Sequence, residues 1–290
     1  MKHAKIVLLL LGSTLIMACT PDPILVDIAP VEQRVVVFSQ VVPEEVMTVV
    51  LTNSFGSLDY DEEESDTLTD EFIERLLLAD AEVTISYRDR VDTLFPTVDA
   101  RGFYASAATP LFANEAYELR IRTADDRLVS ATSLMLPQVK FTAVQPVILR
   151  RETDTLVTVE FEIIDPSEDN RYMINYFVPS ADNDSDFTGP FLPVGSERRK
   201  TVLLDDAAFT DNVFRGFTEL PNVAPDDVLV VALSNISETY YRYLQAQASA
   251  DNFLALLTQE PVSSPTNVRG GLGFFNTHFP DGRLFNLAEY

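Results

Sequence analysis

The sequence predicts a mainly all-β protein: an N-terminal Ig-like β-sandwich at residues 35–138, then a second β-rich domain at 139–290 carrying one long helix near 238–257. Three observations predict it. Short runs of Val, Ile, Thr, Tyr and Phe recur along the chain, bounded by turn residues. Several of them alternate apolar with polar side chains, the two-residue period of a half-buried strand. Only one segment shows the 3.6-residue period of a helix together with helix-forming residues. A chain of 290 residues that is 46% hydrophobic is long and apolar enough to bury more than one core.

Before the first strand comes a leader. Lys2 and Lys5 precede an apolar run, residues 6–17, that is too short to span a bilayer as a helix. It ends in Ile16-Met17-Ala18-Cys19, so residues 1–18 read as a signal peptide. A cysteine directly after a small residue has the pattern of a bacterial lipobox, in which the signal is cut before the cysteine, here Cys19, and the cysteine carries the lipids as the new N-terminus. Cys19 is the sole cysteine of the chain, and a free exported thiol is otherwise a reactive liability. Residues 19–34 contain Pro21, Pro23 and Pro30 and read as a stiff tether rather than a fold.

In the sandwich, residues 35–41 and 46–52 are β-branched runs separated by Pro43-Glu44-Glu45. Residues 59–74 hold nine acids and no base, and their second half has helical spacing behind Thr67 or Thr69. This reads as an acidic loop entering a short helix that covers one end of the sandwich. Residues 82–88 alternate, with Val83, Ile85 and Tyr87 on one face. Strands follow at 102–104, 117–122 and, after Ala124-Asp125-Asp126, at 128–136. About seven short strands in roughly 100 residues is the density of a β-sandwich.

Leu136-Pro137 closes that unit. The second domain opens with long strand candidates at 141–150, 155–164 and 171–178, followed by 201–204, 213–218 and 228–233. Ser237 can cap the helix that follows, and Glu260-Pro261 ends it. Two more candidates, 272–275 and 284–287, lie in the tail.

Composition excludes several function classes. A net charge of −24 argues against nucleic acid, which requires a basic footprint. Loss of Lys2 and Lys5 with the leader takes 21 basic residues to 19 and the charge from −24 to −26. Processing also removes His3, so His278 is the one remaining histidine and no thiol is left for catalysis or a zinc site. A Ser–His–Asp triad would have to use His278, and no G-x-S-x-G is present. With 45 acids, some carboxylate pair falls within reach in any fold, so a carboxylate-dependent hydrolase stays open as an alternative. Asp182, Asp184 and Asp186 alternate as calcium ligands do, but Phe187 and Pro193 stand where an EF-hand needs Gly and Glu. A looser surface calcium site and a solvated turn both fit there. No cofactor and no metal centre is expected. Gly270-Gly271-Leu272-Gly273 lacks the Lys-Ser/Thr of a phosphate loop and reads as a site of close backbone approach. The expectation is that these glycines let the last strand pack against the second sheet, with Phe274 or Phe275 in the core.

The order of landmarks is similar to that of one bacterial family. They are the lipobox, Arg34-Val35-Val36-Val37, Gly102-Phe103-Tyr104 and Tyr117-Glu118-Leu119-Arg120-Ile121, then Tyr241-Arg242-Tyr243-Leu244, Glu260-Pro261-Val262 and Asn267 through Phe275. Together they resemble the lipoprotein family known as domain of unknown function 4249, from Bacteroidota-type bacteria. The resemblance implies an outer-membrane lipoprotein that accompanies a TonB-dependent transporter. It brings no catalytic residues with it. The expectation is therefore a non-enzymatic binding or accessory component held at the outer membrane by lipid on Cys19, with the β-barrel transporter as partner. A structural or adhesive surface lipoprotein is the alternative. Only Asp22 follows the cysteine closely as an acid, so the periplasmic and cell-surface faces both stay open.

Overall fold

The computed structural model describes residues 32–41, 46–54, 76–97, 101–150, 155–166, 169–179, 199–221, 223–248 and 265–290. They form a mainly β structure with one described α-helix. Cys19, expected to carry the lipid, the calcium candidates Asp182, Asp184 and Asp186, and the whole acidic segment at 59–74 lie outside the described residues.

Seven strands make the first unit: β1 (Val35–Val41), β2 (Met47–Asn53), β3 (Ala81–Tyr87), β4 (Arg90–Pro96), β5 (Phe103–Ser106), β6 (Glu115–Thr123) and β7 (Leu128–Met135). Two strands from the tail, β14 (Val268–Arg269) and β15 (Gly271–Phe274), join them in the order β14-β7-β6-β3-β4-β5-β2-β1-β15. The sheet wraps around one core. Val35, Val37, Val49 and Leu51 face Val83, Ile85, Leu119 and Ile121 across it. On β3 the alternation is clean: Val83, Ile85 and Tyr87 are buried, and Glu82, Thr84 and Ser86 are turned away. β2 does not alternate, because Thr48, Val50 and Thr52 on its other face are buried as well. Leu77 bridges Thr52 on that covered face, and Leu76 beside it is buried.

The tail closes the sheet. β14 runs antiparallel to β7, and β15 runs parallel to β1. A single segment of seven residues thus satisfies both outer strands, which would otherwise present unpaired N–H and C=O groups. Gly270 makes the switch between them with φ +78°. The glycine-rich strand therefore packs on the first sheet and not on the second, as the sequence had suggested. Period and composition identify a strand, but they do not say which distant edge will receive it.

The second unit has two sheets, β12-β9-β8 and β11-β10-β13-β16. Its strands are β8 (Phe141–Arg150), β9 (Thr155–Ile164), β10 (Arg171–Phe177), β11 (Arg199–Asp205), β12 (Val213–Leu220), β13 (Val228–Asn235) and β16 (Asp281–Asn286). Val157, Val159 and Phe161 meet Tyr172, Ile174, Leu229 and Val231 between them. Phe161 stacks on Phe214 with centroids 5.7 Å apart. Pro146, which cannot donate to a ladder, sits on β8 at the sheet's edge.

Between β13 and β16 the chain makes a long excursion. Helix α1 (Glu238–Ala248) starts behind Ser237, whose Oγ accepts the Tyr240 N–H at 3.2 Å. Residues 249–257, the remainder of the expected helix, lie outside the described residues. α1 lays Tyr240, Tyr243 and Leu244 on Met173 and on Phe274 of β15. Phe274 thus faces the helix, while its neighbour Phe275 enters the first core.

Candidate functional site

Residues 266–281 form a plug that joins the parts of the fold. Asn267 folds the segment on itself: its Oδ1 accepts the Phe275 N–H at 2.9 Å and its Nδ2 donates to the Phe275 carbonyl at 2.7 Å. Gly273, at φ +88°, lies so close to β1 that a Cβ would run into the Val37 carbonyl. A Cβ on Gly271 would meet the Val35 carbonyl at 2.6 Å, and one on Gly270 the Leu128 carbonyl at 2.5 Å. All three glycines thus sit where main chain approaches main chain.

The next residues staple both edges. Asn276 donates its N–H to Ser39 Oγ of β1 at 2.6 Å, and Ser39 Oγ donates to the Asn276 carbonyl at 3.0 Å. Thr277 donates its N–H and its hydroxyl to Ser133 Oγ of β7, each at 3.0 Å. His278 is 1% exposed, and its Nδ1 takes a hydrogen bond from Asn276 Nδ2 at 2.9 Å. An amide nitrogen can only donate, so Nδ1 accepts and the ring proton sits on Nε2. A triad histidine needs the reverse: a proton on Nδ1 facing a carboxylate and a free Nε2 to take the serine proton. His278 is built into the plug as a structural group.

A second polar cluster stands at the end of β10. Asp165 is buried, accepts the Tyr172 hydroxyl, and takes Asn170 Nδ2 at 3.4 Å. Asp206 accepts the Asn170 N–H at 2.9 Å, and Asn235 Nδ2 donates to Asn170 Oδ1 at 3.1 Å. Partial burial raises the Asp206 carboxyl above its ordinary range, and the charges of Asp165 and Asp169 add to the shift. Asp169 is held below its range by its bond to Arg171. Burial and the Asp165 carboxylate raise Tyr172 strongly. This grouping was missed from sequence, because its members come from four separate segments. Among the described residues no group of three His, Cys, Asp or Glu is placed to hold a metal ion.

The third feature is a face. The outer surfaces of β1, β2 and β5 are largely covered, but the outer surface of β4-β3-β6-β7-β14 is open. It exposes Val91 (65%), Phe95 (68%), Leu128 (66%) and Leu134 (50%). Arg120, Arg122 and Arg269 project from the same surface, against Glu82 and Glu118. Glu118 pairs with Arg120 through both oxygens at 3.0 Å. A cleft of about 400 Å³ runs along the β7–β14 border, lined by Glu118, Thr132, Asn267 and Arg269 among others.

No match was found among curated proteins. Among solved structures, the chicken CNTN1 FN1-FN3 domains align at 12% identity over 72% of this chain, with a TM-score of 0.23. This chain covers 61% of that structure, less than two thirds of its length. The chicken interferon gamma receptor alpha chain aligns at 9% identity over 71% of this chain and 89% of its own, with a TM-score of 0.21. A family model matches nearly the whole body, residues 21–278, and the chain belongs to that family, described as Domain of unknown function (DUF4249).

Proposed function

We propose that this protein is an outer-membrane-anchored lipoprotein of Bacteroidota-type bacteria, acting as a non-enzymatic binding or accessory component of a TonB-dependent β-barrel transporter. The observation that carries the binding role is the open face with four exposed apolar side chains beside arginines. Exposed apolar patches on an otherwise charged surface mark interaction sites. An Ig-like sandwich is the scaffold in this reading. Two features support that: the pairing of β5-β2-β1 across the core from β4-β3-β6-β7, and Tyr117. At the start of β6, Tyr117 donates its hydroxyl to the Pro110 carbonyl, seven residues upstream, at 2.7 Å, which is the tyrosine-corner arrangement.

The anchor is the lipid on Cys19, supported by Ile16-Met17-Ala18-Cys19 and by a family match that begins at residue 21. Among the described residues no helix is long and apolar enough to cross a membrane. Cys19→Ala should move the protein out of the lipid phase in membrane fractionation; unchanged retention would show that something other than Cys19 holds it. The non-enzymatic reading is supported by the tautomer and burial of His278. His278→Ala should leave a folded variant functional in the cell, and loss of function in a variant that still folds would overturn the reading. A carboxylate-dependent hydrolase is the second reading, favoured by one observation, the raised carboxyl of Asp206 near Asp165. Turnover of any glycan or ester by the purified chain, lost in Asp206→Asn, would decide for it.

A further inference from the structure

We propose that the outer face of β4-β3-β6-β7-β14 docks an acidic protein partner, whose carboxylates meet Arg120, Arg122 and Arg269. The inference rests on the accessory-protein reading in taking the partner to be a protein, and it goes further in naming the surface and the chemistry.

The strand register arranges the groups. Arg120 of β6 stands opposite Ser130 of β7, and Ser130 stands opposite Arg269 of β14. This sets two guanidinium groups in one row with a short hydroxyl between them. Arg122 stands opposite Leu128 on one side and Glu82 on the other. Neither Arg122 nor Arg269 has an ion-pair partner among the described residues. Leu128 and Leu134 bracket the row along β7, six residues apart and about 20 Å along the strand.

Charge decides the class of partner. The chain carries −24 overall, yet this face presents three arginines against two glutamates; Arg120 and Glu118 pair with each other, which leaves Arg122 and Arg269 against Glu82 alone. A locally cationic surface on a strongly acidic molecule repels further copies of this chain's own acidic surface less than the rest does, and it attracts carboxylates selectively. The apolar residues decide between a protein and a bare anion. Phosphate or a sugar acid would use the arginines and leave Phe95, Leu128 and Leu134 in water, whereas arginine beside aromatic and aliphatic side chains is the composition of a protein interface. The face is also rigid. It is built on paired strands, and its border strand β14 is fixed by Asn267 Nδ2 donating to the Thr132 carbonyl at 2.9 Å.

The test uses the full lipidated chain purified in mild detergent, with the co-purifying β-barrel transporter as the probe. The triple variant Arg120→Glu/Arg122→Glu/Arg269→Glu should retain its melting behaviour and lose at least about tenfold of the transporter. Leu128→Ser/Leu134→Ser should lose it through the apolar contacts with no change of charge. The control Lys200→Glu/Arg215→Glu/Arg242→Glu, on the second sandwich and α1, should bind as the parent does. Full retention by both face variants would overturn the docking surface and leave the accessory reading intact. If the parent brings no transporter, the accessory reading fails, and a photo-crosslinker placed at Thr84 on the same face then tests the surface alone. A polypeptide adduct that is lost in the triple variant supports it; a lipid or glycan adduct, or none, overturns it.

Discussion

The Tyr117 hydroxyl accepts the Phe112 N–H at 2.9 Å while it donates to Pro110, so one side chain fixes the β5–β6 connection at two points. Tyr117→Phe keeps the ring in the core and strands two backbone groups. It should cost about 1–3 kcal/mol in denaturant unfolding. At Gly273 the positive φ and the Val37 carbonyl act together, and Gly273→Ala should cost at least about 1–3 kcal/mol on the same measurement. Asp206 gives a prediction with a pH sign. Its raised carboxyl holds a proton more tightly in the folded chain than in the unfolded one, so it favours folding while protonated and loses that contribution as pH rises through its folded pKa. Asp206→Asn can still accept the Asn170 N–H and carries no charge. Its melting temperature should exceed the parent's near neutrality, and the gain should vanish as pH falls into the acid range. At this scale the sequence was legible for identity and blind to seating. That His278 stands alone after processing could be read from composition, but its hydrogen bond to Asn276 depends on a plug assembled from residues up to 237 positions apart.

Among the elements, those with a clear period were readable, and the exceptions have physical causes. Strand β4 escaped notice because Val91 and Phe95 point to solvent and only Leu94 is buried, so its apolar residues invert the expected alternation. Strand β14 is two residues long, below any period. The split of the tail between two units could not be read, since neither the glycine-rich β15 nor the polar β16 carries a local signal for the edge that receives it. Phe275 tests this assignment. It is fully buried in the first core although it lies beyond every strand of the second unit but β16. Phe275→Ala should cost about 3–5 kcal/mol. In hydrogen exchange the lost protection should centre on β1 and β7, not on β9 or β13; the reverse pattern would place the residue in the wrong core.

For the molecule as a whole, the return of the tail means that the two β-units do not stand as independent beads. A fragment ending at residue 138 would carry β1 and β7 with open edges and should aggregate or remain unfolded, whereas the intact chain should melt in one cooperative transition followed by circular dichroism. Two separate transitions would show that closure contributes little. Leu136-Pro137 closes the first run of strands in the sequence, and no local signal there announces that residues 268–277 will cross back. The closure also has a consequence in time. Chains emerge from the ribosome N-terminus first, and N-terminal domains commonly fold first. Here the earliest strand out, β1, must wait for Gly271 and Asn276, nearly the last residues to arrive. Until then its edge stays unpaired through nearly the whole of synthesis. Contacts of such separation form slowly, so this chain should depend on a holdase chaperone more than other β-rich proteins of its size, and in a refolding reaction its first unit should be the last part to become protected.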